Sequence, residues 1–205
     1  SIVQGISSVD LATGKEVWFQ NNTSMSFGQL LQTENLNIHG VSAYLWDYRS
    51  GNSTMYDAYT GRALLKVQGC QSATKVDMSE TGDVLVYTMN ANAGWLTLWN
   101  STKAINPTDQ LTFSPSITAT YNWTNGIMWN VTIPKITGQT WTQYGDGVII
   151  TTAAFRTADP PVRTVAGYDA KTGANLWIMN LTDYTIRPQY NFSPISNGTF
   201  AWFKQ

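Results

Sequence analysis

The stretch YDAKTGANLW, residues 168–177, decides the fold, because it is the clearest copy of a phrase that recurs along the chain. It aligns without gaps with VDLATGKEVW at residues 9–18 and YDAYTGRALL at residues 56–65. Asp, Thr and Gly coincide in all three, as Asp10, Thr13 and Gly14, then Asp57, Thr60 and Gly61, then Asp169, Thr172 and Gly173. The chemistry of these residue types predicts a tight reversal. An Asp that opens a turn accepts hydrogen bonds from backbone N–H groups two or three residues on, and Thr offers a second local acceptor. Gly takes the positive φ that lets the chain turn back. The strand after each turn then runs into Trp18, Leu65 or Trp177.

The copies are separated by 57 − 10 = 47 and 169 − 57 = 112 residues. The second interval leaves room for two more units, one with an insertion. Weaker echoes fall inside it, LWNSTKAI at 98–105 and YNWTNGIMW at 121–129, the latter keeping Thr124 and Trp129 in phase. Upstream of the turns lie short apolar runs opened by polar residues: HGVSAYLW (39–46), TGDVLVYTM (81–89), YGDGVIITTA (144–153) and NGTFAWF (197–203). Val84–Tyr87 and Val148–Ile150 are too short for helices and rich in β-branched residues. No segment sustains a 3.6-residue period, so almost no helix is expected. Residues 104–120 and 154–164, with their Pro and polar residues, read as loops. A period in the forties built from strands is that of a β-propeller blade.

Composition agrees. Charged residues are only 12% of the 205, about half the usual share, while aromatic residues reach 13% with nine Trp and ten Tyr. The 27 Thr, 15 Ser and 16 Asn take the place of the missing charge. Net charge is −1, so nothing points to nucleic acid or to an anionic membrane. No apolar run is long enough to span a bilayer as a helix. The one cysteine, Cys70, excludes an internal disulfide, a C-x-x-C metal or redox site and haem attachment within these residues. It reads as a small buried hydrophobe.

N-x-[S/T] sequons open at Asn21, Asn22, Asn52, Asn100, Asn122, Asn130, Asn180, Asn191 and Asn197. Random placement of the same residues gives roughly three against these nine, so the excess reads as selection for N-glycosylation. A glycan coat also supplies the surface hydration that charge normally provides. Both oddities of composition then point to an extracellular or cell-surface location.

The phrase Y-D-A-x-T-G-x-x-L-W resembles the repeat of PQQ-like β-propellers, the superfamily of quinoprotein alcohol dehydrogenases and of the bacterial outer-membrane assembly propeller lipoprotein. AYLWDYRSGNSTMYDAYTGRALLKVQG (43–69), continued by GDVLVYTMNANAGWLTLWNSTKAI (82–105), is most similar to large archaeal secreted proteins with such repeats. The resemblance covers the whole chain at the level of blades and implies an all-β fold of four-stranded antiparallel blades. About four are visible: the tail of one (1–20), three fuller ones, and the opening of another (188–205). Seven or eight blades are usual in the family and need roughly twice this length, so residues 1–205 are expected to be a single propeller domain or a segment of one. An open propeller leaves strand edges exposed, to be covered by remaining blades or by other subunits. A self-contained five-bladed ring is the alternative.

Membership among the quinoprotein dehydrogenases would imply a vicinal Cys–Cys disulfide, a catalytic Asp and a calcium held by Glu, Asn and Asp. Cys70 has no cysteine neighbour. Asp83 and Asp146 stand where turn geometry alone asks for Asp, and a carboxylate that repeats with the fold, such as Asp10, Asp57 or Asp169, is expected to build it. His39, the only histidine, precedes a strand and is expected at a turn or edge, with no nucleophile or acid nominated beside it. Trp18, Trp46, Trp99, Trp129, Trp141 and Trp177 fall at blade-packing phase, and Trp95 is the best candidate for exposure. The resulting expectation is a non-catalytic, glycosylated extracellular module for structure or protein interaction, without cofactor or metal. The competing readings are a quinoprotein-type oxidoreductase with its active-site blades elsewhere, and a carbohydrate-binding propeller.

Overall fold

The computed structural model describes residues 4–35, 38–105, 119–135, 139–154, 163–181 and 195–201. Most of the two expected loops and Asn191 lie outside these residues, as do the side chains of His39 and Trp141. The described chain is all-β apart from one five-residue helix and one 3-10 turn.

Strands β1 (Gly5–Val9) and β2 (Glu16–Asn21) form a two-stranded antiparallel sheet around the first D-x-x-T-G turn. Next come β3 (Phe27–Asn35), β4 (Ile38–Asp47), β5 (Gly51–Asp57) and β6 (Ala63–Cys70), with antiparallel pairing of β3 to β4, β4 to β5 and β5 to β6. The third group is β7 (Lys75–Met78), β8 (Val84–Asn90) and β9 (Trp95–Asn100). Helix α1 (Ser101–Ile105) follows, then β10 (Ala119–Asn122), a 3-10 turn over Trp123–Gly126, and β11 (Ile127–Thr132). The last group is β12 (Gln139–Gly145), β13 (Val148–Ala154), β14 (Arg163–Asp169) and β15 (Asn175–Leu181).

The sheet orders are β1-β2, β10-β6-β5-β4-β3, β11-β9-β8-β7 and β12-β13-β14-β15. Antiparallel four-stranded meanders are the unit from which propeller blades are made, so at the level of its sheets the fold is propeller-like. Two departures from the sequence expectation arise in the inserted stretch. LWNSTKAI is not a hairpin echo. Its Asn100 side chain accepts from the Lys103 N–H at 2.9 Å, capping α1. The segment that returns as β10 adds to β6 in parallel, extending that sheet to five strands. His39 does not precede the strand but lies within β4, opposite Glu34 of β3, in the part of β4 that pairs on that side only.

Two compact units divide the chain, one of Ser1–Val86 with Trp99–Met128, the other of Tyr87–Leu98 with Trp129–Gln205. In the first, Trp46, Met55, Leu65, Val67, Val84, Val86 and Trp99 are all essentially buried. Trp46 meets Trp99 edge-on at 6.3 Å, and Trp99 stacks on Trp123 at 6.5 Å. Such aromatic pairs add to plain burial of area. The polar groups that Trp46 and Gln29 carry inward are paired. The Trp46 indole donates to Gln29 Oε1 at 2.7 Å, and Gln29 Nε2 donates to the Gly82 carbonyl at 2.8 Å. Cys70 is in this core, where burial raises its thiol pKa. In the second unit Ile150 and Val165 are the buried centre, with Val148, Trp177, Ile195 and Phe200 packed against them.

Candidate functional site

The three D-x-x-T-G turns have one geometry. Asp10 Oδ1 accepts from the N–H of Ala12 at 3.0 Å, and from the N–H and hydroxyl of Thr13 at 2.7 and 2.8 Å. Asp57 Oδ1 repeats this with Tyr59 and Thr60 at 2.9, 2.7 and 2.9 Å, and Asp169 Oδ1 with Lys171 and Thr172 at 3.0, 2.7 and 2.8 Å. Each Asp carbonyl also accepts from the glycine four residues on, at 2.8 to 2.9 Å. Those glycines, Gly14, Gly61 and Gly173, have φ of +69°, +69° and +74°. Hydrogen bonds to Thr13 and Thr172, hydroxyl first, hold the Asp10 and Asp169 carboxyls below the usual range.

Two further turns belong to this set. Asn90 Oδ1 accepts from Ala93 N at 2.9 Å, its carbonyl accepts from Gly94 N at 2.8 Å, and Gly94 has φ +80°. Asn122 Oδ1 accepts from both the N–H and the hydroxyl of Thr124, at 3.0 and 2.9 Å, with Gly126 four residues on. In sequence, YNWTNG keeps the Thr of the motif in phase, whereas NANAGW has neither its Asp nor its Thr. The shared signal is Asp or Asn followed at the fourth position by Gly.

Over three of the five turns lies an indole. Trp18 donates to the Ala58 carbonyl at 3.2 Å, Trp99 to that of Trp123 at 2.8 Å, and Trp129 to that of Lys171 at 2.8 Å. A Cβ added at Gly61, Gly126 or Gly173 would come within 2.4 to 2.7 Å of the same three indoles. Close approach therefore requires all three glycines, and Gly61 and Gly173, with positive φ, are required for the turn as well. These tryptophans clamp turns and do not form an open platform for a sugar ring. Trp95, expected to be exposed, is half-buried.

Asp83 accepts from the Ser79, Thr81 and Thr102 hydroxyls, and Asp146 accepts from Gly198 N at 2.8 Å. Asp146 and Gly147 have φ of +48° and +72° and form the two-residue turn between β12 and β13. Among the described residues no three His, Cys, Asp or Glu side chains gather as a metal site. The buried Tyr168 phenol is pushed up to about 12 by desolvation, so it stays protonated at neutral pH.

Of the eight described sequon asparagines, Asn21, Asn22, Asn52, Asn122, Asn130, Asn180 and Asn197 are exposed, and only Asn100 is half-buried. Asn22 and Asn197 occupy left-handed turn positions with φ of +53° and +50°. Asn52, Asn130 and Asn180 project from β5, β11 and β15. The Asn180 side-chain carbonyl accepts from Thr164 at 2.9 Å.

No family model matches this chain, and no curated protein does. Among solved structures it is similar to the crystal structure of BamB from Moraxella catarrhalis. Identity is 16% and the TM-score 0.36, over 93% of this chain and 53% of that one. The chain thus spans about half the length of that structure.

The sequence holds no vicinal cysteine pair, since Cys70 stands alone. Three of the five turns are tied to an indole from a distant part of the chain.

Proposed function

We propose that residues 1–205 form a single β-propeller domain or propeller segment, of the archaeal PQQ-like repeat type. It serves as a non-catalytic, N-glycosylated structural or protein-interaction module at the cell surface. The observation that carries this reading is the exposure of seven of the eight described sequon asparagines. Exposure is the condition a sequon needs to accept a glycan, and the nine sequons exceed the roughly three that random placement gives. Their positions on solvent-facing strand residues and turn tips let a glycan extend without displacing packed side chains. The non-catalytic part of the reading is supported by the role of the repeated carboxylates, which are committed to their own turns, and by the solitary Cys70.

Glycopeptide mapping of the protein from its native host tests the modification. Sugar is expected on Asn52, Asn130, Asn180 and Asn197, with the lowest occupancy at half-buried Asn100; unmodified asparagines throughout would remove the argument for the compartment. The catalytic alternative is tested by adding PQQ and calcium and following dye reduction with alcohol substrates. Cofactor-dependent turnover would overturn the non-catalytic reading.

A further inference from the structure

Asn100 is the half-buried asparagine among the described sequons, and all three residues of its sequon are tied into the fold. Asn100 Oδ1 accepts from the Lys103 N–H at 2.9 Å and so caps α1. Ser101 is fully buried, and its hydroxyl oxygen accepts from the Val84 N–H at 3.0 Å. Thr102 is buried as well, and its hydroxyl donates to Asp83. Lys103 Nζ then donates to the Ile127 carbonyl at 2.6 Å. Gly126 packs on the same turn: a Cβ there would lie 2.6 Å from the Asn100 carbonyl oxygen and 2.7 Å from Ala104 Cβ. Helix α1 is held in place through the very residues that define the sequon.

Asn130 shows the contrast. Its sequon lies in β11, where burial alternates, so Asn130 and Thr132 are both exposed. Side chains of a strand return to the same face every two residues, which is also the spacing of Asn and hydroxyl in a sequon. A strand that turns its Asn outward therefore offers the hydroxyl with it. The motif is defined by both groups, so a transferring enzyme has to reach both. At Asn130 the folded chain presents the pair, and at Asn100 it has drawn the hydroxyl inside.

We infer that folding closes the Asn100 sequon, so that glycan transfer to Asn100 and docking of α1 compete for the same side chains. Transfer joins Asn100 Nδ2 to the anomeric carbon of a lipid-linked oligosaccharide; the bond from that carbon to the carrier phosphate breaks, and the amide gives up one proton. This happens only on chains in which α1 has not docked, and Asn100 occupancy records how long that segment stays open. The inference rests on the reading of the chain as an N-glycosylated protein and adds to it an order of events.

The test uses the 205-residue protein made without glycans, incubated with an oligosaccharyltransferase and a lipid-linked oligosaccharide. Occupancy of each asparagine is followed by glycopeptide mass spectrometry. The folded protein should take glycan at Asn130, and react at Asn100 at least about tenfold more slowly than a synthetic peptide of residues 96–106, which has no fold to close it. Trp46→Ala removes a buried indole from the core that also holds Ala104 and Ile105, far from the sequon in sequence. It should raise the Asn100 rate in the full chain and leave that of Asn130 unchanged. Transfer to Asn100 as fast in the folded chain as in the peptide overturns the inference, as does protection of Asn130 equal to that of Asn100. A peptide as unreactive as the folded site would overturn it too, because the sequence and not the fold would then be the obstacle. Absence of sugar from every asparagine of the native-host protein would instead remove the glycosylation reading itself, whatever these rates show.

Discussion

The turns at Asp10–Gly14 and Asp169–Gly173 share their hydrogen bonds to within 0.1 Å and differ in what lies over them. Over Gly173 sits the Trp129 ring, so close that an added Cβ would approach it to 2.7 Å; over Gly14 no described residue comes within 4 Å of an added Cβ. The same residue type at the same φ thus meets one demand in the first turn and two in the last. Turn formation needs Gly for its backbone freedom. The joint needs it again, because a ring can rest on a peptide plane only where no side chain intervenes.

This contrast can be broken in graded ways. The largest effect is expected from Trp99→Ala, which removes a fully buried indole from the first unit together with its bond to Trp123. Loss of about 3–5 kcal/mol in chemical denaturation is the expected result, and a loss under about 1 kcal/mol would mean that the joint holds little. Gly173→Ala comes next. Backbone strain of roughly 1–2 kcal/mol combines with overpacking against Trp129 of roughly 1–3 kcal/mol, whereas Gly14→Ala should show the strain alone. Equal losses at the two glycines would refute the division between covered and open turns.

Asp57→Ala removes three hydrogen bonds from a turn whose backbone remains closed by the Gly61 N–H, and should destabilise by about 1–2 kcal/mol. The smallest effect is that of pH. Asp10 and Asp169 have folded pKa values below their ordinary value of 3.8. A depressed carboxyl contributes stability that is complete above the unfolded pKa and is lost as pH falls through the folded one. Thermal melts should therefore shift downward only below about pH 4. Asp169→Asn should remove part of that shift, and an unchanged acid profile in this variant would show that the carboxylate charge has no part in the turn.

The turns at Asp10, Asp57 and Asp169 were legible in the sequence because every contact that shapes them closes within five residues. The same locality explains what escaped. At Asn90 the Asp is replaced by an equivalent acceptor and Ala93 lacks the hydroxyl, so neither Asp nor Thr marks that turn; at Asn122 the Thr marks it, but Thr124 binds its cap from one position earlier. In LWNSTKAI the local signal was read as a hairpin, while the Asn100 side chain was a helix cap. The sequons show the opposite balance. Their positions are plain in the sequence, but nothing local distinguishes half-buried Asn100 from exposed Asn130.

By itself, the sequence determined strand-forming segments, the Asp-led reversals between them and the positions of the N-x-[S/T] sequons. Each of these depends on alternation, β-branching or hydrogen bonds between near neighbours. Only the tertiary structure decided which turn glycines are covered and which tryptophans do the covering. Trp18 reaches its acceptor across 40 residues and Trp129 across 42, and burial at such a distance is a sum over packed neighbours that no local pattern encodes. Gly14 and Gly61 are alike as sequence and as local geometry, and the presence or absence of a distant indole is all that separates them.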